Sequence, residues 1–524
     1  NTKKFTFDAY PKKRLISYSV THFPAGRGQM LREFTVPYAL NIQPFDGDWY
    51  DAARIYRSWL LQQEPFAKGP VCKRGDIPAW LKESAAIIQL KGSILAQLVK
   101  EKGAAPVCER FERELGRFKE QFTQPFLMVY YNWRSDWDAR KSASTIQDCL
   151  SYGGHLGVPV CEPLFESVKK LKGKGMHSMA YINSMIYDQG YNTLEQPEAE
   201  KWVVRDRSGK PDIYNEKTEA TFCMCRATAW WHRRYCDIAC EVMRSMGADG
   251  IYMDSFGKGA EECFATNHGH PVGGGNTVVS GQRAMAHELR DNIRRINPEA
   301  IMGGEGSSEN YADILDFNLY SENHYQQYIP LRRTVYGDYM MCHGRNLDKC
   351  ANRVNFLADI SSLFLEGAIL GRFIVQDASV SLMNYPEMLD KTVEIADYTA
   401  VGREYLRFGE LLKPPRLSLT ETVNYLPEGK KVAVTIPLVA AMAYRSHLDG
   451  TAAVLFVNRG DTPVSFAHNF SAELRHAELC RKTPGATLMI MNRSGDRKEL
   501  QSFEGSVAAT VELAAGGIGF YIIK

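Results

Sequence analysis

The chain has 524 residues, 44% hydrophobic and 24% charged, a balance that supports a substantial folded core and excludes a low-complexity or disordered protein. Its formal net charge is only +2, so no strong field directs it toward nucleic acid or an anionic membrane. No run of about 18 apolar residues predicts a membrane span, and the length alone suggests about three domains.

No charged-then-apolar leader follows Asn1. The 12 cysteines form no evenly spaced framework, and neither Cys223/Cys225 nor Cys236/Cys240 is a CxxC pair. Buried free thiols are the expectation, with a lean toward a reducing, cytoplasmic setting.

Residues 1 to about 45 read as strands, at Leu15–Val20 and Phe34–Ile42, and are too short to make a sandwich alone. They are expected to be the tail of a β-domain. A helix follows, with Asp48 as N-cap and Trp49, Ala52, Ala53, Tyr56, Trp59 and Leu60 at helical spacing.

From about Ile77 to Leu411, short apolar runs alternate with amphipathic helices. The runs are Ala85–Leu90, Phe126–Tyr131, Met179–Ile182, Gly250–Met253, Ala300–Met302, Ile314–Leu319, Tyr339–Cys342 and Ala368–Val375. Before the fourth, Tyr235, Ile238, Ala239, Val242, Met243 and Met246 share a helix face that Gly247 ends. The helix before the fifth is expected to start at Ser280 and end at Asn297-Pro298. Eight strands alternating with helices predict a (β/α)8 TIM barrel, an α/β fold, over an open doubly wound sheet.

A long helix from Tyr385 to Leu412 is expected next, and then strands at Val432–Ile436, Ala452–Val457, Thr487–Met491 and Gly517–Ile523 that make an antiparallel β-sandwich. The domain reading is therefore 1–66 for the β-tail and linking helix, 67–415 for the barrel and 416–524 for the sandwich.

Active sites of such barrels lie at the C-terminal ends of the strands. After the fourth run stands Asp254, in GADGIYMDSFG (247–257), and after the fifth Glu305, in IMGGEGSSEN (301–310). A capping Asp and a solvated turn Glu are the bland alternatives. On adjacent strands, however, the two carboxylates would share one mouth, as glycosidic cleavage requires: one attacks the anomeric carbon while the other protonates the leaving oxygen. Neighbouring strands favour the shorter carboxylate separation of retaining enzymes, with Asp254 as nucleophile and Glu305 as acid/base.

Other strand ends offer sugar-binding groups: Trp133 for stacking, with Asp136 and Asp138; Tyr181 and Asn183; Tyr252; Glu322; His343 and Arg345. After Asp254 come His268, His270 and Gly273-Gly274-Gly275. No third metal ligand is identifiable by spacing, so neither metal nor other cofactor is expected. The glycine run fits no phosphate fingerprint and reads as a flexible loop covering substrate.

Together GDWYDAARIYRSWL (47–60), YNWRSDWDAR (131–140), KKLKGKGMHSMAYIN (169–183), GADGIYMDSFG and GGEGSSEN resemble a bacterial glycoside-hydrolase-like barrel family. It is related to the endo-α-N-acetylgalactosaminidases and, distantly, to the α-amylase superfamily. The resemblance spans roughly residues 30 to 400. It implies an Asp nucleophile ending strand four and a Glu acid/base ending strand five, positions held here by Asp254 and Glu305. The α-amylase group has Arg two residues before its nucleophile, where this chain has Tyr252. The α-galactosidase clan is a second relative in style, whose acid on strand six would fall on Asp316.

The expected function is a glycosidase cleaving an α-linked glycosidic bond in an oligosaccharide or glycoside, with no nucleic acid or membrane partner. The alternatives are a carbohydrate-binding barrel without turnover and a metal-dependent hydrolase using His268 and His270.

Overall fold

The computed structural model describes residues 3–27, 33–36, 38–90, 102–130, 162–189, 195–214, 221–257, 262–306, 309–319, 328–344, 347, 352–376, 379–427, 431–476 and 486–524. The chain begins with an antiparallel hairpin of β1 (Lys3–Tyr10) and β2 (Leu15–His22), on which Phe5, Phe7, Ile16 and Tyr18 are exposed. The strand expected over Phe34–Ile42 is absent from the described residues there: its β-branched and aromatic composition finds no partner strand, and Leu40 and Ile42 lie exposed.

The helix Trp49–Leu60 starts as expected. Asp48 accepts from the Tyr50 amide at 3.0 Å, and Asp51 accepts from the Asp48 amide at 2.9 Å. This reciprocal cap satisfies two N–H groups that a helix start leaves unpaired. Arg57, on the buried face, makes paired hydrogen bonds to Asp338 at 2.8 and 2.7 Å. His447, from the C-terminal part of the chain, meets the same carboxylate at 2.7 Å.

All eight predicted runs become parallel strands. They are β3 (Ala86–Leu90), β4 (Phe126–Tyr130), β5 (Met176–Asn183), β8 (Gly250–Asp254), β9 (Ile301–Gly304), β10 (Phe317–Leu319), β11 (Met341–His343) and β12 (Leu370–Gln376), with a small hairpin of β6 (Ile186–Asp188) and β7 (Thr221–Cys223) after β5. The sheet runs in order from β3 through β4, β5, β8, β9 and β10 to β11, and β12 pairs with β3 on its other side. A parallel bridge between His343 and Ile369, with the Ile369 amide donating to the Cys342 carbonyl at 2.8 Å, joins β11 to β12 and closes the ring.

The runs read as continuously apolar because both faces are covered. Ile251, Met253 and Met302 pack outward against helices, while Met179, Tyr181, Tyr252, Ile301, Phe317 and Met341 fill the interior. The helix Ala229–Met246 ends where expected, with Gly247 left-handed at φ +67° and its amide bonded to the Met243 carbonyl. The helix Thr277–Ile296 begins three residues before Ser280.

The long helix expected over Tyr385–Leu412 instead runs Pro386–Val401, breaks at Gly402 and resumes for one turn at Arg403–Leu406. A Cβ at residue 402 would lie 2.5 Å from the Phe520 ring. The break lets the C-terminal sheet pack close.

After β13 (Ser379–Val380), which pairs with β12, that six-stranded sheet runs β14 (Glu410–Leu411), β17 (Val439–Arg445), β18 (Ala452–Asn458), β23 (Ile518–Ile523), β20 (Ala486–Met491) and β21 (Arg497–Phe503), while β15 (Thr422–Tyr425) pairs with β16 (Val434–Pro437). One face, with Tyr444, Leu455 and Phe520, joins the barrel's outer core. The other packs Phe456 and Tyr521 against Phe466, Val511 and Leu513 of the two-stranded pair β19 (Val464–Asn469) and β22 (Ala508–Leu513), making the sandwich. Among the described residues, no helix is long and apolar enough to cross a membrane.

Candidate active site

Strand β8 places Gly250, Tyr252 and Asp254 on the inner face of the barrel, since side chains alternate and Ile251 and Met253 face outward. Its neighbour β5 is in register, with Tyr181 opposite Tyr252 and Asn183 opposite Asp254. On the other side Gly250 pairs with Ile301 and Tyr252 with Gly303. The β8–β9 pairing ends at Met253 and Gly304, and Glu305 is the first residue past β9. Parallel strands lie about 4.8 Å apart, and Asn183, Asp254 and Glu305 stand at the C-terminal ends of three consecutive strands.

Asp254 is held on both its side chain and its backbone. The Asn183 side-chain amide donates to its Oδ2 at 2.5 Å, while the Met185 amide donates to Asn183 Oδ1 at 2.9 Å. The second bond fixes which way the amide points, because an acceptor oxygen and a donor nitrogen are not interchangeable there. Ser184 donates its amide at 2.9 Å and its hydroxyl at 2.7 Å to the Asp254 carbonyl. The chain then turns sharply, with Ser255 at φ +56°, a conformation that costs an ordinary side chain about 1–2 kcal/mol. Asp254 is 8% exposed and Glu305 half-buried.

The glycines around Glu305 serve neighbours inside the barrel rather than the close approach of a ligand. A Cβ on Gly303 would meet the Phe317 ring at 2.5 Å, and one on Gly306 the Phe256 carbonyl oxygen at 2.5 Å. The Gly306 amide bonds that carbonyl at 2.8 Å, tying the chain after Glu305 to the chain after Asp254.

Tyr181 and Tyr252 lie one step below Asn183 and Asp254 on their strands, and His343 ends β11 opposite Leu319. Tyr181 and Tyr252 stack at 5.5 Å, and His343 approaches Tyr252 at 5.9 Å and Phe317 at 5.3 Å. Tyr252 is 1% and His343 0% exposed, and Asn183, at 1%, is as deeply buried. Burial, with Arg372 and Arg332 nearby, holds His343 well below its ordinary pKa, hence neutral. Trp133, Asp136, Asp138, Glu322 and Arg345 lie outside the described residues.

Asp316 sits at the opposite end of its strand, immediately before Phe317. It is fully buried, accepts the Met302 amide at 2.7 Å and pairs with Arg290 at 2.9 Å. It is a structural acid of the barrel's N-terminal side, so the α-galactosidase-style assignment does not fit its position.

Among the described residues, His268 and His270 meet two thiols that spacing missed. Cys225 Sγ lies 3.2 Å from His270 Nε2, and Cys263 Sγ 3.4 Å from His268 Nδ1. One ligand atom from each of the four residues falls within 4.8 Å of all the others. The compact Cys263, His268, His270 grouping was the signal available, but Cys225 stands on a different loop. The described cysteines are free thiols, most of them buried. Nor is the glycine run a loose cover. Gly273 bridges both Cys263 and Ala25, and a Cβ on Gly274 would lie 2.3 Å from the Phe23 carbonyl oxygen.

The profile of a family described as "Domain of unknown function (DUF6259)" matches residues 34–347. A Monosiga brevicollis protein provisionally named a glycoside hydrolase is 24% identical over 499 residues, 87% of this chain but 41% of that protein. The chain thus spans less than half the length of that relative. Among solved structures, a maltogenic α-amylase of Thermotoga neapolitana superposes with a TM-score of 0.54 at 12% identity, covering 85% of this chain and 100% of that one. A ligand-free α-N-acetylgalactosaminidase of Bifidobacterium bifidum gives 0.51 at 12% identity, covering 79% and 62%. At such identities the likeness is one of fold: the barrel resembles those of an α-amylase and an α-N-acetylgalactosaminidase.

Proposed function

The chain belongs to the DUF6259 family, and on that premise we propose that it is a retaining glycosidase acting on an α-linked sugar, with Asp254 as nucleophile and Glu305 as general acid/base. The observation that supports this reading is that β8 ends on Asp254, in register with Asn183 of β5, and that Glu305 directly follows the neighbouring strand β9. Adjacent strands suit the carboxylate separation of about 5–5.5 Å that lets one acid attack the anomeric carbon directly. The name of the Monosiga relative supports the same class of reaction.

Asn183 and Ser184 hold the attacking group before substrate arrives, which removes a reorganisation cost from the chemical step. Attack by Asp254 forms a glycosyl ester as Glu305 gives its proton to the leaving oxygen. Glu305 then takes a proton from the water that cleaves the ester, and the anomeric configuration is retained.

The test is a panel of α- and β-aryl glycosides with wild type, Asp254→Asn and Glu305→Gln. We expect turnover of one α-glycoside, product first released as the α-anomer by NMR, and losses of about 10²- to 10⁴-fold in each variant. An inverted product refutes the retaining assignment. Sugar binding without turnover by the wild type would leave a carbohydrate-binding barrel in its place.

A further inference from the structure

We infer that Cys225, Cys263, His268 and His270 form a structural zinc site that fastens the loop following Asp254 to the loop following β5. The donor set is the first argument. Two thiols and two imidazoles are the ligands of closed tetrahedral zinc sites, whose Zn–S and Zn–N lengths imply ligand-to-ligand edges of about 3.3–3.8 Å. The two S···N separations, 3.2 and 3.4 Å, already approach that size, and all four atoms lie within 4.8 Å of one another.

The outer hydrogen bonds of the imidazoles are a second, independent observation. His268 Nε2 lies 2.8 Å from the Lys201 carbonyl oxygen, and His270 Nδ1 2.9 Å from that of Pro271. A carbonyl can only accept, so those nitrogens carry the protons. The nitrogens left with lone pairs, His268 Nδ1 and His270 Nε2, are the two that face the thiols. Metal-binding histidines are prepared in this way, with the outer N–H fixed on a carbonyl and the inner lone pair aimed at the ion.

The backbone holds the ligands as rigidly. The Cys225 amide donates to the Trp202 carbonyl at 2.9 Å, and Cys263 and Gly273 exchange two bonds of 3.1 and 2.8 Å. Cys225, Cys263 and His268 are at most 6% exposed. Four protein ligands leave no position open for water or substrate, and among the described residues no carboxylate belongs to the cluster. The ion is therefore a cross-link and not a Lewis acid for hydrolysis. It joins residues 225 and 263–270, and through Gly273 and Gly274 the segment around Phe23–Ala25.

Protein purified without a histidine tag and without added metal should contain about one zinc per chain by elemental analysis. After chelation, one equivalent of Co²⁺ should give the visible bands of a tetrahedral centre and a near-ultraviolet thiolate charge-transfer band. Cys225→Ser and Cys263→Ser should each retain zinc at least tenfold less well and lose about half the intensity of that band, while Cys236→Ser keeps both. Wild type that is isolated metal-free and takes up neither Zn²⁺ nor Co²⁺ refutes the proposal. So does a Cys225–Cys263 disulfide found by mass spectrometry in freshly isolated protein. The cobalt spectrum of wild type decides the matter even where a variant does not fold.

Discussion

Replacing Arg57 by Met tests the contact that joins three parts of the chain. Arg57 rises from the helix Trp49–Leu60, Asp338 lies just before β11, and His447 follows β17. The Asp338 side chain is 0% and the Arg57 side chain 6% exposed, so solvent screens the pair little. Burial alone would raise the Asp338 pKa. The Arg57 charge, the His447 and Arg57 hydrogen bonds and the nearby Arg333 charge outweigh it and hold the carboxyl well below the ordinary range.

Removing one partner of a buried pair costs about 3–5 kcal/mol, because the other charge stays desolvated. Since Asp338 keeps His447 and Arg333, the lower end applies, about 3 kcal/mol, or roughly 6–12 °C in Tm for a cooperative unit of 150–250 residues. Calorimetry and urea unfolding measure it. Arg57→Met with Asp338→Leu should lose less than the sum of the two single variants, since neither then strands a charge. The folded pKa is lowered, so this stabilisation is present above the unfolded carboxyl value near 4 and lost as pH falls toward the folded one. The Asp338→Asn deficit should therefore shrink in acid. A deficit under about 1 kcal/mol for Arg57→Met at pH 7, or one that grows on acidification for Asp338→Asn, refutes the reasoning.

Asn183→Asp places a second carboxylate against Asp254; the acidic limb of the kcat/KM profile should move to higher pH, and an unmoved limb would deny Asn183 its positioning role. Asp316→Asn should lower Tm through the stranded Arg290, with specific activity of the folded fraction within about threefold of wild type. Activity loss beyond about a hundredfold in well-folded protein would restore Asp316 as an acid. Gly306→Ala drives a methyl into the Phe256 carbonyl and should cost about 1–3 kcal/mol by urea unfolding, with kcat falling as the ends of β8 and β9 separate.

The barrel was legible because strands covered on both sides must be apolar throughout, so each run stood out, and because Asp254 and Glu305 interrupt that pattern at corresponding places. Register then follows from the pairing alone. Helix ends marked by chemistry, Asp48 and Gly247, were equally visible. What failed depended on partners distant in the chain. Phe34–Ile42 has the composition of a strand but no neighbour to pair with, and the break at Gly402 answers to Phe520, more than a hundred residues away. Tyr252 and His343 stand at or near strand ends in the sequence, and only the folded packing shows both to be buried. Cys225 is separated from Cys263 by a helix and a barrel strand, and only folding reveals their meeting.

The first barrel strand, β3, pairs with the last, β12, setting Ala86 opposite Leu370 and Ile88 opposite Phe373. During synthesis the unpaired edge of β3 must wait for some 280 further residues, roughly 15–55 s at 5–20 residues per second. Over that interval Ile87, Ile88 and Leu90 offer open backbone on an apolar strand, the arrangement most prone to pair with another chain. Yield from cells should thus be governed by nascent-chain protection and growth temperature more than by the equilibrium stability of the finished molecule.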